Sequence, residues 1–138
     1  MYSRKRALAE TKALARPPKE VANALAIVLS LMQGCTEMKK QPSWHDCQKA
    51  IENPAQFLQQ FDHFEPRPDQ LPLIANCARD YPVDLLKTKA LAAAELAQSI
   101  FEKGQQVAGK EGKSLGEFCT GKARAEIEEE SKQQQQTA

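Results

Sequence analysis

Two residues come nearest to catalytic chemistry in this chain of 138 residues, His45 and Cys47. An imidazole close to a thiol can serve as base and nucleophile. Together with Cys35, His63 and Cys77, the pair also offers nitrogen and sulfur ligands for a metal. The spacing argues against both uses, because the chain has no CxxC pair and no zinc-finger spacing. The plainer expectation is that His45 faces solvent and Cys47 packs inside. Cys35, Cys47, Cys77 and Cys119 lie far apart and read as reduced thiols rather than a disulfide scaffold. Glu126, Glu128, Glu129 and Glu130 read as a solvated charge run rather than a metal site. No Gly-rich phosphate loop, GxSxG elbow or HExxH pair occurs. The expectation is therefore a non-catalytic chain that needs no cofactor and no metal. Trp44, the single tryptophan, fits either an interaction anchor or a core residue just past a helix cap. Large aromatics are mostly buried, so a core position beside Phe57 and Phe61 is expected.

The length suits one domain. The chain is 41% hydrophobic and 27% charged, as soluble globular proteins are. A formal net charge of +1 gives no global field that would select nucleic acid or an anionic membrane, so any basic surface must be a local patch. The apolar run from Leu25 to Met32 is too short to span a bilayer. The basic, alanine-rich start has some features of a transit peptide. Glu10, the lone Ser3 and the direct run into Pro17-Pro18 argue against that.

Helical periodicity organises the chain. Residues 4–16 place Leu8, Thr11 and Leu14 on one side of a helix, and Pro17-Pro18 then interrupts it. Lys19 to Met32 spaces Val21, Leu25, Val28, Leu29 and Met32 as a second helix, with Gly34 as its stop. Ser43 is an N-cap for a helix from Trp44 to about Glu52, and Asn53-Pro54 caps another carrying Phe57, Leu58 and Phe61. A short helix runs from Leu71 to Arg79, and Asp80-Tyr81-Pro82 ends it. From Asp84 to about Ala108 the chain lacks proline and is dense in Ala, Leu and Lys, which predicts one continuous helix. No segment alternates as a strand does, so the predicted class is all-α. Five of the six glycines fall at or after Gly104, and the end is glutamine-rich, which predicts weak structure there.

Within this pattern, WHDCQKAIENPAQFLQQFDHF carries Trp44, Lys49, Asn53, Phe57, Leu58, Phe61 and Phe64 at a distinctive spacing. RPPKEVANALAIVLSL precedes it and DLLKTKALAAAEL follows it. In this order and with these gaps, residues 8 to 108 resemble the microtubule-binding domain at the stalk tip of dynein heavy chains, axonemal ones above all. The likeness departs from its usual form at Ala97 and Ser99, where cysteine and tryptophan are common.

The resemblance implies a small helical bundle at the tip of an antiparallel coiled coil. Residues 1–16 would end the outgoing stalk helix, 17–90 would form the globular tip, and 91–110 would begin the returning helix. Residues 111–138 would be a weakly structured or coil tail. The implied partners are tubulin in the microtubule and the rest of a heavy chain, whose ATPase motor lies elsewhere. The implied location is the cytoplasm and cytoskeleton, in the axoneme of a cilium or flagellum. The microtubule is strongly acidic, and Arg16, Lys19, Lys39, Lys40, Lys49, Lys87 and Lys89 are the cations near the joint and the loops. The contact positions that carry over are Lys19, Asn23, Lys39, Lys40, Asp84, Lys87, Thr88 and Lys89. Leu8 and Leu14 should face Leu96, Ile100 and Val107 across the coil. Thr11, Ala15 and Lys103 in that seam should leave its register loosely specified, so that sliding controls affinity. Two rival functions stay open: a helical adaptor or scaffold that binds protein through apolar grooves, and a small enzyme built on His45 and Cys47.

Overall fold

The computed structural model describes residues 3–38 and 40–120. Over these residues the chain is all-α, with seven helices and no strand: α1 Arg4–Lys12, α2 Lys19–Met32, α3 Trp44–Ala50, α4 Pro54–His63, α5 Leu71–Asp80, α6 Val83–Lys87 and α7 Leu91–Lys110. Short 3-10 turns at Pro68–Gln70 and Leu115–Phe118 complete it.

The predicted caps hold. Ser43 accepts a hydrogen bond from the Asp46 N–H while Asp46 accepts one from the Ser43 N–H, a capping box that starts α3. Asn53 caps α4 through the Gln56 N–H. Gly34, at φ +89°, lets α2 close with the N–H of Cys35 on the Ser30 carbonyl at 3.0 Å.

Three helix C-termini are closed by donors from other elements. The carbonyl of Lys12, the last residue of α1, receives Gln48 Nε2 at 2.8 Å, and that of Leu14 just beyond it receives the Trp44 indole N–H at 2.7 Å. The α2 carbonyl of Leu31 receives Gln70 Nε2 at 2.9 Å, and Arg67 reaches Gly34 O at 2.9 Å. At the end of α4, the carbonyls of Phe61, Asp62 and Phe64 all receive Lys103 Nζ, at 3.2, 3.2 and 2.6 Å. Carbonyls left over at a helix end need such partners.

The expected helix over 4–16 stops at Lys12. Pro17 disfavours helix at Arg16, and the donors from α3 take up the carbonyls that further turns would have used. Leu14 is therefore exposed and stays outside the core, at the start of α7 only, whereas Leu8 is buried with Leu96 and Ile100. Ala15 is exposed beyond α1. The expected continuous helix over 84–108 is broken at Thr88–Ala90. Thr88 Oγ1 donates to Leu85 O at 2.7 Å, and Ala90 is extended at φ −158°. The break lets Leu86 enter a core cluster with Ala24, Cys77, Tyr81, Ala94 and Ala97. Full burial of a leucine is worth about 1.5–3 kcal/mol, more than the up to about 0.7 kcal/mol of helix propensity at stake per ordinary residue.

Gly104 lies where α7 crosses α5. A Cβ there would meet Ile74 Cγ2 at 2.8 Å and Leu115 Cδ1 at 3.3 Å, so the glycine permits the approach. Residues 111–120 are not a loose tail, contrary to expectation. Leu115 is buried, its N–H donates to Gln105 Oε1 at 2.9 Å, and Asn76 on α5 exchanges two hydrogen bonds of 2.8 Å with Thr120. Residues 121–138, with the acidic run at Glu126 to Glu130, lie outside the described residues.

Candidate functional site

α1 and α7 run antiparallel. The start of α1 meets the middle of α7 at Asp62, which Arg4 and Lys103 both contact. The far end of α1 meets the start of α7 at a shallow cleft of about 340 Å³, where Thr11 and Leu14 lie beside Lys89, Ala90 and Leu91. The break before Pro17 and the break at Thr88–Ala90 thus stand at one level. Leu14 and Leu91, the two exposed large hydrophobic side chains among the described residues, both belong to this cleft.

The α6–α7 turn is closed by backbone hydrogen bonds. The N–H groups of Thr88, Lys89 and Ala90 donate to Leu85, Leu86 and Leu86 carbonyls at 3.2, 2.9 and 2.8 Å. Leu86 points inward, so Lys87, Thr88 and Lys89 are exposed, as is Asp84 one turn earlier. Lys19 is exposed in the first turn of α2, and Lys40 is exposed in the loop before α3. Lys39 lies outside the described residues.

Asn23 is not exposed as they are. It is buried, its Nδ2 donates to the Tyr81 hydroxyl at 2.9 Å, and its Oδ1 accepts from Gln41 Nε2. Instead of touching a partner, it ties together three segments: the loop that holds Lys40, the helix that begins at Lys19, and the corner that leads into α6. A polar residue at a helical position between Lys19 and Ile27 looks like surface from the sequence. Only the placement of Tyr81 and Gln41 around it makes it interior, and those two residues carried no signal of their own.

The seam is not loose at Lys103. All three protons of its ammonium have carbonyl acceptors. The same group lies 5.6 Å from the Phe61 ring centroid. Thr11 is likewise satisfied, its hydroxyl donating to Ala7 O at 2.9 Å. Arg4 adds a bidentate pair with Asp62 at 2.7 and 2.7 Å, and the hydrogen bonds from Arg4 hold the Asp62 carboxyl below its usual range.

His45 is exposed and Cys47 is buried. Burial pushes the Cys47 thiol up to about 11, with the Asp46 charge adding to it, opposite to what a thiolate nucleophile needs. Burial pushes Cys77 up to about 12. Among the described residues no three His, Cys, Asp or Glu side chains converge on a metal site, and no helix is long and apolar enough to cross a membrane. Trp44 is half-buried at the core's edge rather than central, its ring covering apolar residues while its N–H caps α1. An open groove of about 490 Å³ lies beside α4, lined by Leu29, Met32, Phe57, His63 and Phe64 among others.

No family model matches the chain, and no curated protein or solved structure matches it.

Proposed function

We propose that this chain binds microtubules as the stalk tip of a dynein heavy chain, without catalytic activity of its own. The observation that carries this is the pairing of antiparallel α1 and α7, both interrupted at the level where Lys87, Thr88 and Lys89 stand on a turn closed by backbone hydrogen bonds. Such a plan suits a tip that is addressed through two helices and meets its track beyond their breaks. Lys19, Lys40, Lys87 and Lys89 supply the cations for an acidic partner, with Lys39 next to Lys40 in the sequence. Asp84 tempers the attraction and Thr88 offers a hydroxyl. Asn23, bonded to Tyr81 and Gln41, has a structural role and makes no contact with the track. The motor is elsewhere in the heavy chain, and the setting is the cytoskeleton of a cilium or flagellum. Affinity is controlled by the register of α7 against α1.

Exposed charges attract with a range set by salt, about 10 Å at about 0.1 M. Co-sedimentation of the full chain with microtubules should therefore show binding that falls steadily as salt rises. No binding at low salt would sink the proposal. The groove beside α4 favours a second function, an adaptor that holds an apolar segment of another protein. It predicts no tubulin affinity, so the same assay separates the two.

A further inference from the structure

We propose that the cleft between the end of α1 and the start of α7 is an apolar anchor point, where Leu14 and Leu91 receive a large apolar side chain from an acidic helix on the microtubule surface. The two leucines come from segments distant in sequence, yet both line one cleft of about 340 Å³. They keep 40% and 46% of their surface exposed, whereas the other large apolar side chains among the described residues are buried or partly buried. Both sit on hydrogen-bonded backbone. The Leu14 N–H donates to Thr11 O at 3.2 Å, and the Leu14 carbonyl accepts the Trp44 indole N–H at 2.7 Å. Leu91 opens α7 directly after Ala90, whose N–H donates to Leu86 O at 2.8 Å.

Charge decides what covers the cleft. Lys89 lines it, and Lys87 is exposed in the same turn. Glu10, its acidic wall, is offset by Arg6 at 3.3 Å. The local balance is positive and suits a carboxylate beside the incoming apolar side chain. An apolar centre with a charged rim is the usual anatomy of a protein contact. The lysines orient the encounter and set its salt dependence. The leucines add release of water from apolar surface, which salt does not screen. A second copy of the chain is the poorer occupant. A two-fold contact through this cleft would bring the Lys87 and Lys89 groups of both copies together, and like charges so placed repel. The inference rests on the function proposed above, because the microtubule is the acidic partner.

The test is co-sedimentation of the full chain with microtubules across a salt series, comparing the parent with the double variant Leu14→Ser, Leu91→Ser. Both side chains already meet water, so the variant should melt like the parent. It should bind about tenfold more weakly at every salt concentration, with the parent's slope of log Kd against log salt. Leu14→Met with Leu91→Met should restore most of the affinity, because methionine keeps an apolar side chain of similar volume. If the double serine variant does not fold, Leu91→Ser alone decides, since serine is tolerated at a helix start; it should weaken binding about threefold, and unchanged binding would overturn the anchor. Parent-like binding by the folded double variant would overturn the anchor and leave the proposed function standing. Weaker binding with a flattened slope would overturn it too, because the loss would then lie with the lysines. So would a dimer of the parent in sedimentation velocity that the double variant loses, which would assign the cleft to a second copy. No binding by the parent at low salt would instead overturn the function itself.

Discussion

The two ends of the α1–α7 pair are built differently. At the α4 end the cations are consumed: Arg4 is paired with Asp62 and Lys103 is spent on three carbonyls. At the other end, Lys87 and Lys89 project from a hydrogen-bonded turn, and Leu14 and Leu91 stay exposed beside them. Similar side chains thus do opposite work. Charge satisfied within the chain ties helices together, whereas charge that stays exposed is what the proposed contact would use. The contrast also separates the consequences of mutation: changes at the first end should alter stability, and changes at the second should alter binding alone.

The sharpest break of that contrast is Phe61→Ala. It removes a fully buried ring and the platform under Lys103, and should cost about 3–5 kcal/mol in denaturant unfolding. A loss below about 1 kcal/mol would mean that this end of the α1–α7 pair is not anchored in the core. Gly104→Ala comes next. Alanine gains about 1 kcal/mol of helix propensity, yet the clash with Ile74 should outweigh it and leave a net loss of about 1–3 kcal/mol. Greater stability in that variant would show that α5 and α7 approach less closely than described. Trp44→Phe keeps an aromatic ring and removes the N–H that caps Leu14 O, and should cost about 1 kcal/mol. The smallest effect concerns the thiols. Their folded values are raised above the ordinary 9.0, so the neutral forms favour the fold. Their contribution is complete below about pH 9 and declines as pH rises through about 11 and about 12. Denaturation midpoints should fall on that alkaline side, and alkylation should modify Cys35 and Cys119 well before Cys47 and Cys77.

Most of the fold was legible because it is written in local signals. Ser43, Asn53, Gly34 and the prolines mark helix ends by rules that need no tertiary information, and α2, α3, α4 and α5 follow them closely. The misreadings share one cause. The end of α1, the break at Thr88 and the closed seam at Lys103 depend on groups distant in sequence: Trp44 and Gln48 for the first, the pocket that receives Leu86 for the second, and the α4 carbonyls for the third. Spacing along one helix carries no trace of them. Of the proposed contact residues, the exposure of Lys19, Lys40, Asp84, Lys87, Thr88 and Lys89 was legible, since polar residues flanking apolar anchors tend to face water. Asn23 was misplaced because a buried asparagine with two partners looks, in sequence, like any exposed one.

The most direct test of the whole scheme is microtubule co-sedimentation of the Lys87→Glu, Lys89→Glu double variant beside a Lys110→Glu control. Lys110 is also exposed but closes the distant end of α7. The double variant should fold and melt like the parent, yet bind microtubules about tenfold more weakly with a flatter salt dependence, while the control binds as the parent does. Equal weakening in both would contradict a defined contact face at the α6–α7 turn.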